Sequence, residues 1–388
     1  MNPADSSHHI FLIAGEASGD LHGANLVKAL KQRSDTIVYS GIGGMAMQKI
    51  GVDIVVDAAT LSVVGFTEVF SRLPGILRGM ATARTFLKNT RPDLLILIDF
   101  PDFNMKMAEY AKKLGIPILY YISPQIWAWR SGRVRKIGRL VDHMAVILPF
   151  EASFYRRHHI PVTFVGHPLL DEFQGPLPSP PPPSKDVSPV IGLLPGSRES
   201  EIYRHLPILL QAADLLSRQM DIRFILSIAP GAPIEAVKAI ADPFQSRIDL
   251  EIDTHGARSV FPRTHLVVAA SGTVTLEAAI AGTPIVIIYK ISAVSYALGK
   301  ILIKVPNIGL VNLIAEREIA PELIQDQATP ETIADAVQYL LQNTAAREAM
   351  RHAFGNVRYR LGGPGASARV AEIVLNMLSA DKTKISGR

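Results

Sequence analysis

The chain has 388 residues, 48% of them hydrophobic and 19% charged, which suits two or three domains with sizeable cores and excludes a disordered chain. With no cysteine, disulfides, thiolate nucleophiles and Cys-based zinc sites are ruled out, and the 11 histidines show no metal-ligand spacing. A formal net charge of +5 favours an anionic partner such as nucleic acid, anionic lipid or a phosphorylated small molecule.

The segment from Met1 to His9 is short and polar, without the basic-then-apolar order of a signal peptide. No window reaches the ~18 uninterrupted apolar residues of a spanning helix, so the sequence reads as a cytoplasmic chain. His9–Ala14 predicts a strand and Gly19–Arg33 a helix with apolar Leu21, Ala24, Leu26, Val27 and Leu30. Between them, Gly15-Glu16-Ala17-Ser18-Gly19-Asp20 lacks the GxGxxG dinucleotide fingerprint, which removes most support for hydride transfer. Gly15, Glu16, Ser18, Gly19 and Asp20 are candidate acceptor or sugar contacts, because backbone N–H groups at the helix start can hold a sugar oxygen or phosphate. The bland alternative is a strand–helix turn capped by Ser18 or Asp20.

Strands are expected at Ile37–Gly41, followed by the turn Gly41–Gly44, and at Asp53–Val56, Leu94–Asp99, Ile116–Ile122, His143–Leu148 and Val162–Val165. Helical patterns between several of them predict a doubly wound, mostly parallel α/β sheet with ligands at the strands' carboxyl ends. The stretch 61–77 is unusually apolar; Val64, Phe66 and Leu73, interleaved with Arg72, suit a lipid interface or an acyl-pocket mouth, and an ordinary core helix fits nearly as well. Asp99 and Asp102, in Asp99-Phe100-Pro101-Asp102-Phe103-Asn104, are candidates for a general base, with Asp102 ahead of Asp99. A structural pair, one acid capping the helix that starts near Phe103, is the alternative. Trp127 and Trp129 are the only tryptophans, and Arg130–Arg139 follows them as the most basic window, with Arg130 and Arg133 its first cations. That window reads either as a membrane or phosphate contact or as a solvated helix face.

Residues 174–189 are proline-rich, including Pro180–Pro183, and predict a semi-rigid linker after a first domain over 1–173. A second alternating set occupies 190–345: strand Val190–Leu194, helix Glu201–Gln219, strand Arg223–Ile228, helix Ile234–Ala241, strands Leu250–Ile252 and Leu266–Ala270, helix Thr273–Ala281 and strand Pro284–Tyr289. Two loops here look like phosphate cradles, each after an apolar strand and before a helix. In the first, Gly196 and Ser197 bring backbone close while Arg198 adds a forked cation. In the second, Ser271, Gly272 and Thr273 offer hydroxyls and amides, and Glu277, one turn on, is placed to accept ribose hydroxyls. Helix capping accounts for Ser271 and Thr273 but leaves an acid unexplained in an apolar helix. The tail (346–388) is helical.

In order along the chain, IAGEASGD, GIGG, LSVVGFTEV, IDFPDFN, YYISPQIWAWR, LPFE, VGHPLLD, LLPGSR, SGTVTLE and NLIAERE-IAPELIQ resemble the lipid-A-disaccharide synthase family from about Ile10 to Ala371. Each motif alone is weak and the set is specific. The resemblance implies a GT-B fold of two Rossmann-like domains flanking a cleft, with C-terminal helices over 346–388 crossing back to the first domain, and it allows a homodimer that exchanges them. It implies an inverting, metal-independent transferase without cofactor that uses UDP-2,3-diacylglucosamine and 2,3-diacylglucosamine 1-phosphate at the cytoplasmic face of the inner membrane. By position it carries over Asp102 as base, Arg198 to the UDP phosphates, Glu277 to ribose and Asn312 to the nucleotide site. Glu316 departs from the pattern, where glycine is usual. Another UDP-sugar enzyme, an epimerase or a polyprenyl-linked-sugar transferase, would share the cradles. A nucleic-acid partner is not expected, since the cations are too local and no binding signature is present.

Overall fold

The computed structural model describes residues 8–61, 69–129, 131–173, 188–292, 296 and 307–385. Val64, Phe66, Arg130 and most of the proline-rich segment (174–187) lie outside the described residues, as do the side chains of Leu73 and Trp129. The chain forms two compact units, Met1–Asp171 with Leu361–Arg388, and Glu172–Arg360.

The first unit is built on seven strands: β1 (His8–Ala14), β2 (Ile37–Gly43), β3 (Asp53–Asp57), β4 (Leu94–Ile98), β5 (Ile118–Tyr121), β6 (His143–Val146) and β7 (Val162–Phe164). All pairings are parallel, in the order β3-β2-β1-β4-β5-β6-β7. A parallel sheet covered by helices buries both faces, which is why β4 is apolar at every position. Successive residues still point to opposite sides. Phe11, Ile13, Leu95 and Leu97 enter one core, whereas Ile10, Leu12, Leu94 and Ile96 enter the other.

That second core is completed from the far end of the chain. Val370, Ala371, Val374 and Leu378 of the Ala366–Ile385 helix are buried in it, against the Ala17–Lys31 helix. The return begins at Leu361 rather than at residue 346, which corrects the expected boundary. The Thr344–Arg360 helix stays with the second unit because Met350, Ala353, Phe354 and Val357 are buried there, on the side facing the Val274–Ala281 and Leu310–Ala315 helices. The turn into the return is held by backbone: His167 N–H donates to Leu361 O (2.9 Å), and Arg369 Nε donates to Val165 O (2.7 Å).

The second unit contains β8 (Val190–Leu194), β9 (Arg223–Ser227), β10 (Asp249–Asp253), β11 (Leu266–Ala270), β12 (Ile285–Tyr289) and β13 (Glu322–Ile324), parallel in the order β10-β9-β8-β11-β12-β13. Strand order reverses between β1 and β4 in one sheet and between β8 and β11 in the other. In open parallel sheets the loops leaving such a reversal diverge, and the crevice between them is where ligands generally bind.

Candidate active site

In the first unit the crevice is walled by the loops after β1 and β4, whose last residues, Ala14 and Ile98, are register partners. Gly15 makes room for the Phe100 ring; a Cβ there would sit 2.3 Å from it. Asp99 and Phe100 both take left-handed backbone angles (φ 46° and 47°), and Ile122, past the end of neighbouring β5, does too at φ 63°. Such conformations are unfavourable outside glycine, most of all for a β-branched residue, and persist where surroundings over-determine them. Here Asn104 Nδ2 and Tyr120 O–H donate to Asp99 O at 2.6 and 2.8 Å, and Pro101 starts the following helix with a preset φ. The turn leaves Asp99 just past the end of β4, near enough to Glu16 for the two charges to interact.

Burial is the main reason the half-buried Asp99 carboxyl is pushed up to about 6; the charge of Glu16 adds to it and the Phe100 N–H opposes it. Asp102 is different: its side chain is 74% exposed and paired with Arg133 at 2.8 Å. The two acids expected as base candidates therefore sit in different surroundings, Asp99 largely shielded from water and Asp102 exposed and ion-paired.

The acceptor residues divide. Glu16 and Ser18 are exposed at the start of the Ala17–Lys31 helix, where the first N–H groups lack intrahelical partners. Asp20 is turned inward, and its carboxylate accepts N–H bonds from Gly44 (2.7 Å), Ala46 (2.8 Å) and Met47 (3.1 Å), capping the Met45–Lys49 helix. Gly19 packs against Ala14. Asp20 is thus spent on holding the neighbouring turn, whereas Gly19 keeps its place in the first turn of the helix.

Trp127 and Arg133 are also engaged within the unit. The Trp127 indole N–H donates to Glu151 (3.1 Å), and its ring meets Phe150 edge-on at 4.7 Å. Its polar edge therefore faces protein, not a lipid headgroup layer. Glu151 is 1% exposed, also accepts the Leu148 N–H (3.0 Å), and is pushed up to about 7 by burial, with its hydrogen bonds opposing.

In the second unit a cavity of about 560 Å³ is lined by Gly196, Ser197, Arg198, Ser271, Gly272, Thr273 and Glu277, the residues of both expected cradles and the expected ribose acid. The two cradles differ. At Gly272, Thr273 and Val274 the N–H groups opening the Val274–Ala281 helix donate to no acceptor among the described residues, and a Cβ at Gly272 would meet open space. At Ser197 and Arg198 the N–H groups already donate to Glu201 Oε2 (3.1 and 3.3 Å), and Arg198 Nη1 lies 3.4 Å from Oε1. Gly196, at φ 117°, has Glu201 where a side chain would go. Glu201 thus closes a capping box at the start of the Glu199–Ser217 helix.

Arg258 is a cavity residue that sequence reasoning missed; it pairs with Glu172 and with Glu277 (3.4 Å). Burial raises the Glu277 carboxyl and Arg258 offsets it. His205 was also missed. It is 1% exposed, its Nδ1 lies 2.9 Å from Pro195 O, and its Nε2 accepts the Lys290 N–H at 3.0 Å, so it pins the first cradle loop to the end of β12. Asn312 does not reach the cavity. Its amide donates to Ala320 O and Glu322 and accepts from Ile319 and Ala320 N–H, which leaves no capacity for a ligand. Glu316 follows it at φ 60°, the left-handed helix end that suits glycine.

One unit thus offers a half-buried carboxyl beside exposed helix amides, the other a cavity in which Arg198 and Arg258 are balanced by Glu201 and the half-buried Glu277 and whose second cradle keeps free amides. The family model described as lipid-A-disaccharide synthetase matches residues 10–374. The lipid-A-disaccharide synthase of Syntrophus aciditrophicus (strain SB) is 44% identical over 391 residues, covering 96% of this chain and 98% of the relative. Among solved structures, the UDP-GlcNAc 2-epimerase of Neisseria meningitidis bound to UDP-GlcNAc superposes with a TM-score of 0.63 at 13% identity, over 95% of this chain and 100% of that one. The glycotransferase of kitacinnamycin gives 0.63 at 15% identity, over 96% and 100%. These likenesses are of fold: two Rossmann-like parallel-sheet units of the GT-B class.

Proposed function

This chain belongs to the lipid-A-disaccharide synthase family and is a glycosyltransferase, and from that premise we propose how its residues divide the reaction. Asp99 takes the proton from the 6-hydroxyl of 2,3-diacylglucosamine 1-phosphate. That oxygen attacks the anomeric carbon of UDP-2,3-diacylglucosamine, the bond from that carbon to the β-phosphate oxygen breaks, and UDP leaves with inversion at the sugar. Negative charge growing on the leaving phosphate is stabilised by the Gly272, Thr273 and Val274 amides and by Arg198. Donors fixed before reaction act without reorganising, an effect typically worth several kcal/mol. Glu277 accepts the ribose hydroxyls. The acceptor site would draw on Glu16, Ser18 and the amides beside them. Acylated substrates place the work at the cytoplasmic face of the inner membrane.

The observation that supports this reading is one cavity lined by both cradles and Glu277. Incubating the protein with UDP-2,3-diacylglucosamine and 2,3-diacylglucosamine 1-phosphate in the presence of a chelator should yield the disaccharide phosphate and UDP. Absence of disaccharide, or consumption of UDP-N-acetylglucosamine alone, would remove the reading in favour of an epimerase.

A further inference from the structure

Arg258 reaches the cavity of the second unit from a tightly held turn. β10 ends at Asp253, whose carboxylate accepts the His255 N–H (2.8 Å), the Ser259 hydroxyl (2.7 Å) and Arg263 Nη1 (3.0 Å). Gly256 bends the backbone at φ 88°, and a single helical turn, Ala257–Val260, then carries Arg258 to the cavity wall. There three groups hold the guanidinium. Its Nη2 donates to Glu172 and lies 3.4 Å from Glu277 Oε1, while its central carbon lies 5.2 Å over the Phe173 ring. Both carboxylates are half-buried, with side chains 17% exposed, whereas the Arg258 side chain is 44% exposed. Glu277 stands in the first turn of the Val274–Ala281 helix, just after the second cradle.

An ionised carboxylate only accepts hydrogen bonds, and those it takes are roughly twice as strong as neutral ones. A protonated one gives up an acceptor position, so gripping two neighbouring hydroxyls calls for the anion. At Glu277 burial works against that anion, and the charge of Glu172 adds to the penalty; Arg258 opposes both. Arg198, Glu201 and His255 are the other charged or titratable residues lining the cavity.

We propose that Arg258 is a positioning residue for the nucleotide: paired with Glu277, it holds that carboxylate as the acceptor of the 2′- and 3′-hydroxyls and so makes the cavity prefer a ribonucleoside diphosphate to one lacking those hydroxyls. The inference deepens the proposed role of Glu277 at the ribose and rests on it. A direct role for Arg258 on the diphosphate fits the geometry less well. Its guanidinium is matched against two carboxylates, whereas Arg198 meets only Glu201 among the described residues.

The test is calorimetry of the full chain with UDP and with 2′,3′-dideoxy-UDP. Wild type should bind UDP at least about tenfold more tightly, the worth of a hydrogen bond to a charged group. Arg258→Met should bring that preference to within about threefold by weakening UDP alone, since only UDP offers hydroxyls to Glu277. Near-unchanged binding of the dideoxy nucleotide also shows that the cavity is intact. Arg258→Lys, which keeps the charge, should restore much of the preference. Acidification should abolish the preference at a higher pH in Arg258→Met than in wild type, because the arginine holds the Glu277 carboxyl down. In a Glu277→Gln chain, adding Arg258→Met should change the preference no further. Equal weakening of both nucleotides by Arg258→Met overturns the proposal, as a phosphate contact or lost packing would produce it. A preference left at the wild-type level by Arg258→Met overturns it as well. Those results leave the wild-type preference in place. A wild type that binds both nucleotides equally would instead remove Glu277 from the ribose and the inference with it, so the two failures are distinguishable.

Discussion

Asp99 and Asp102 stand three residues apart with the same chemistry, and the backbone gives them different surroundings. Left-handed φ at Asp99 and Phe100 leaves the first acid largely shielded just past the end of β4, while the first helical turn leaves the second exposed beside Arg133. Asp99→Asn should lower kcat by about 10²–10⁴ with donor affinity little changed, and Asp102→Asn should have a smaller effect. A base works deprotonated, so kcat/KM should climb with pH up to a limb near pH 6, the value to which Asp99 is pushed, and level off above it. A full-rate Asp99→Asn enzyme, or a profile without that acidic limb, would sink the assignment. Glu201 supports a second residue-scale prediction. Its carboxylate holds the Ser197 and Arg198 amides that a diphosphate would use, so Glu201→Gln, which keeps an acceptor and loses the charge, should tighten UDP binding several-fold in calorimetry while leaving uridine binding unchanged. Equal or weaker UDP binding would make Glu201 a helix cap and nothing more. The sequence makes acids and glycines visible but not their targets: Asp20 and Asn312 lie in ligand-like contexts, yet both bind backbone.

Elements whose apolar pattern is set by burial on both faces were the most legible. Leu94–Ile98 has a single solution in a covered parallel sheet, and the alternating units follow from strands of that kind. β13, three residues long, carries no period to read, and it is recognised only by its register on β12. The Pro149–Arg156 helix poses a harder case, because its Glu151 looks like an ordinary first-turn acid and is in fact buried, joining that helix to Trp127 and to the backbone at Leu148. Its stability effect has a definite sign. With a folded value near 7 against an ordinary 4.5, the folded state binds an extra proton between those limits, so stability is fullest below pH 4.5 and falls as pH rises through 7. The loss across that window is on the order of 3 kcal/mol. Denaturant unfolding followed by tryptophan emission reports the first unit, since the only two tryptophans, Trp127 and Trp129, lie in it. Glu151→Gln should flatten the decline between pH 5 and pH 8; an unaltered decline would assign it to other groups.

For the molecule as a whole, repetition of the strand–helix pattern reveals two α/β units, but not which unit owns the helices that follow. The Thr344–Arg360 and Ala366–Ile385 helices are both amphipathic, and amphipathicity states that a face is buried without stating against what. The structure divides them, the first by Met350, Phe354 and Val357 into the second unit and the other by Val370, Val374 and Leu378 into the first unit's core, with the change made at Leu361. Truncating a buried leucine typically costs about 2–5 kcal/mol and a phenylalanine about 3–5. Leu378→Ala should therefore speed amide exchange in β1, β4 and the Ala17–Lys31 helix while leaving β8 and β11 as protected as before. Phe354→Ala should do the reverse, opening the Val274–Ala281 helix and its neighbours and sparing β1 and β4, because local unfolding follows the core that loses contacts. Exchange that rose equally in both sheets for either variant would mean that the two cores unfold as one.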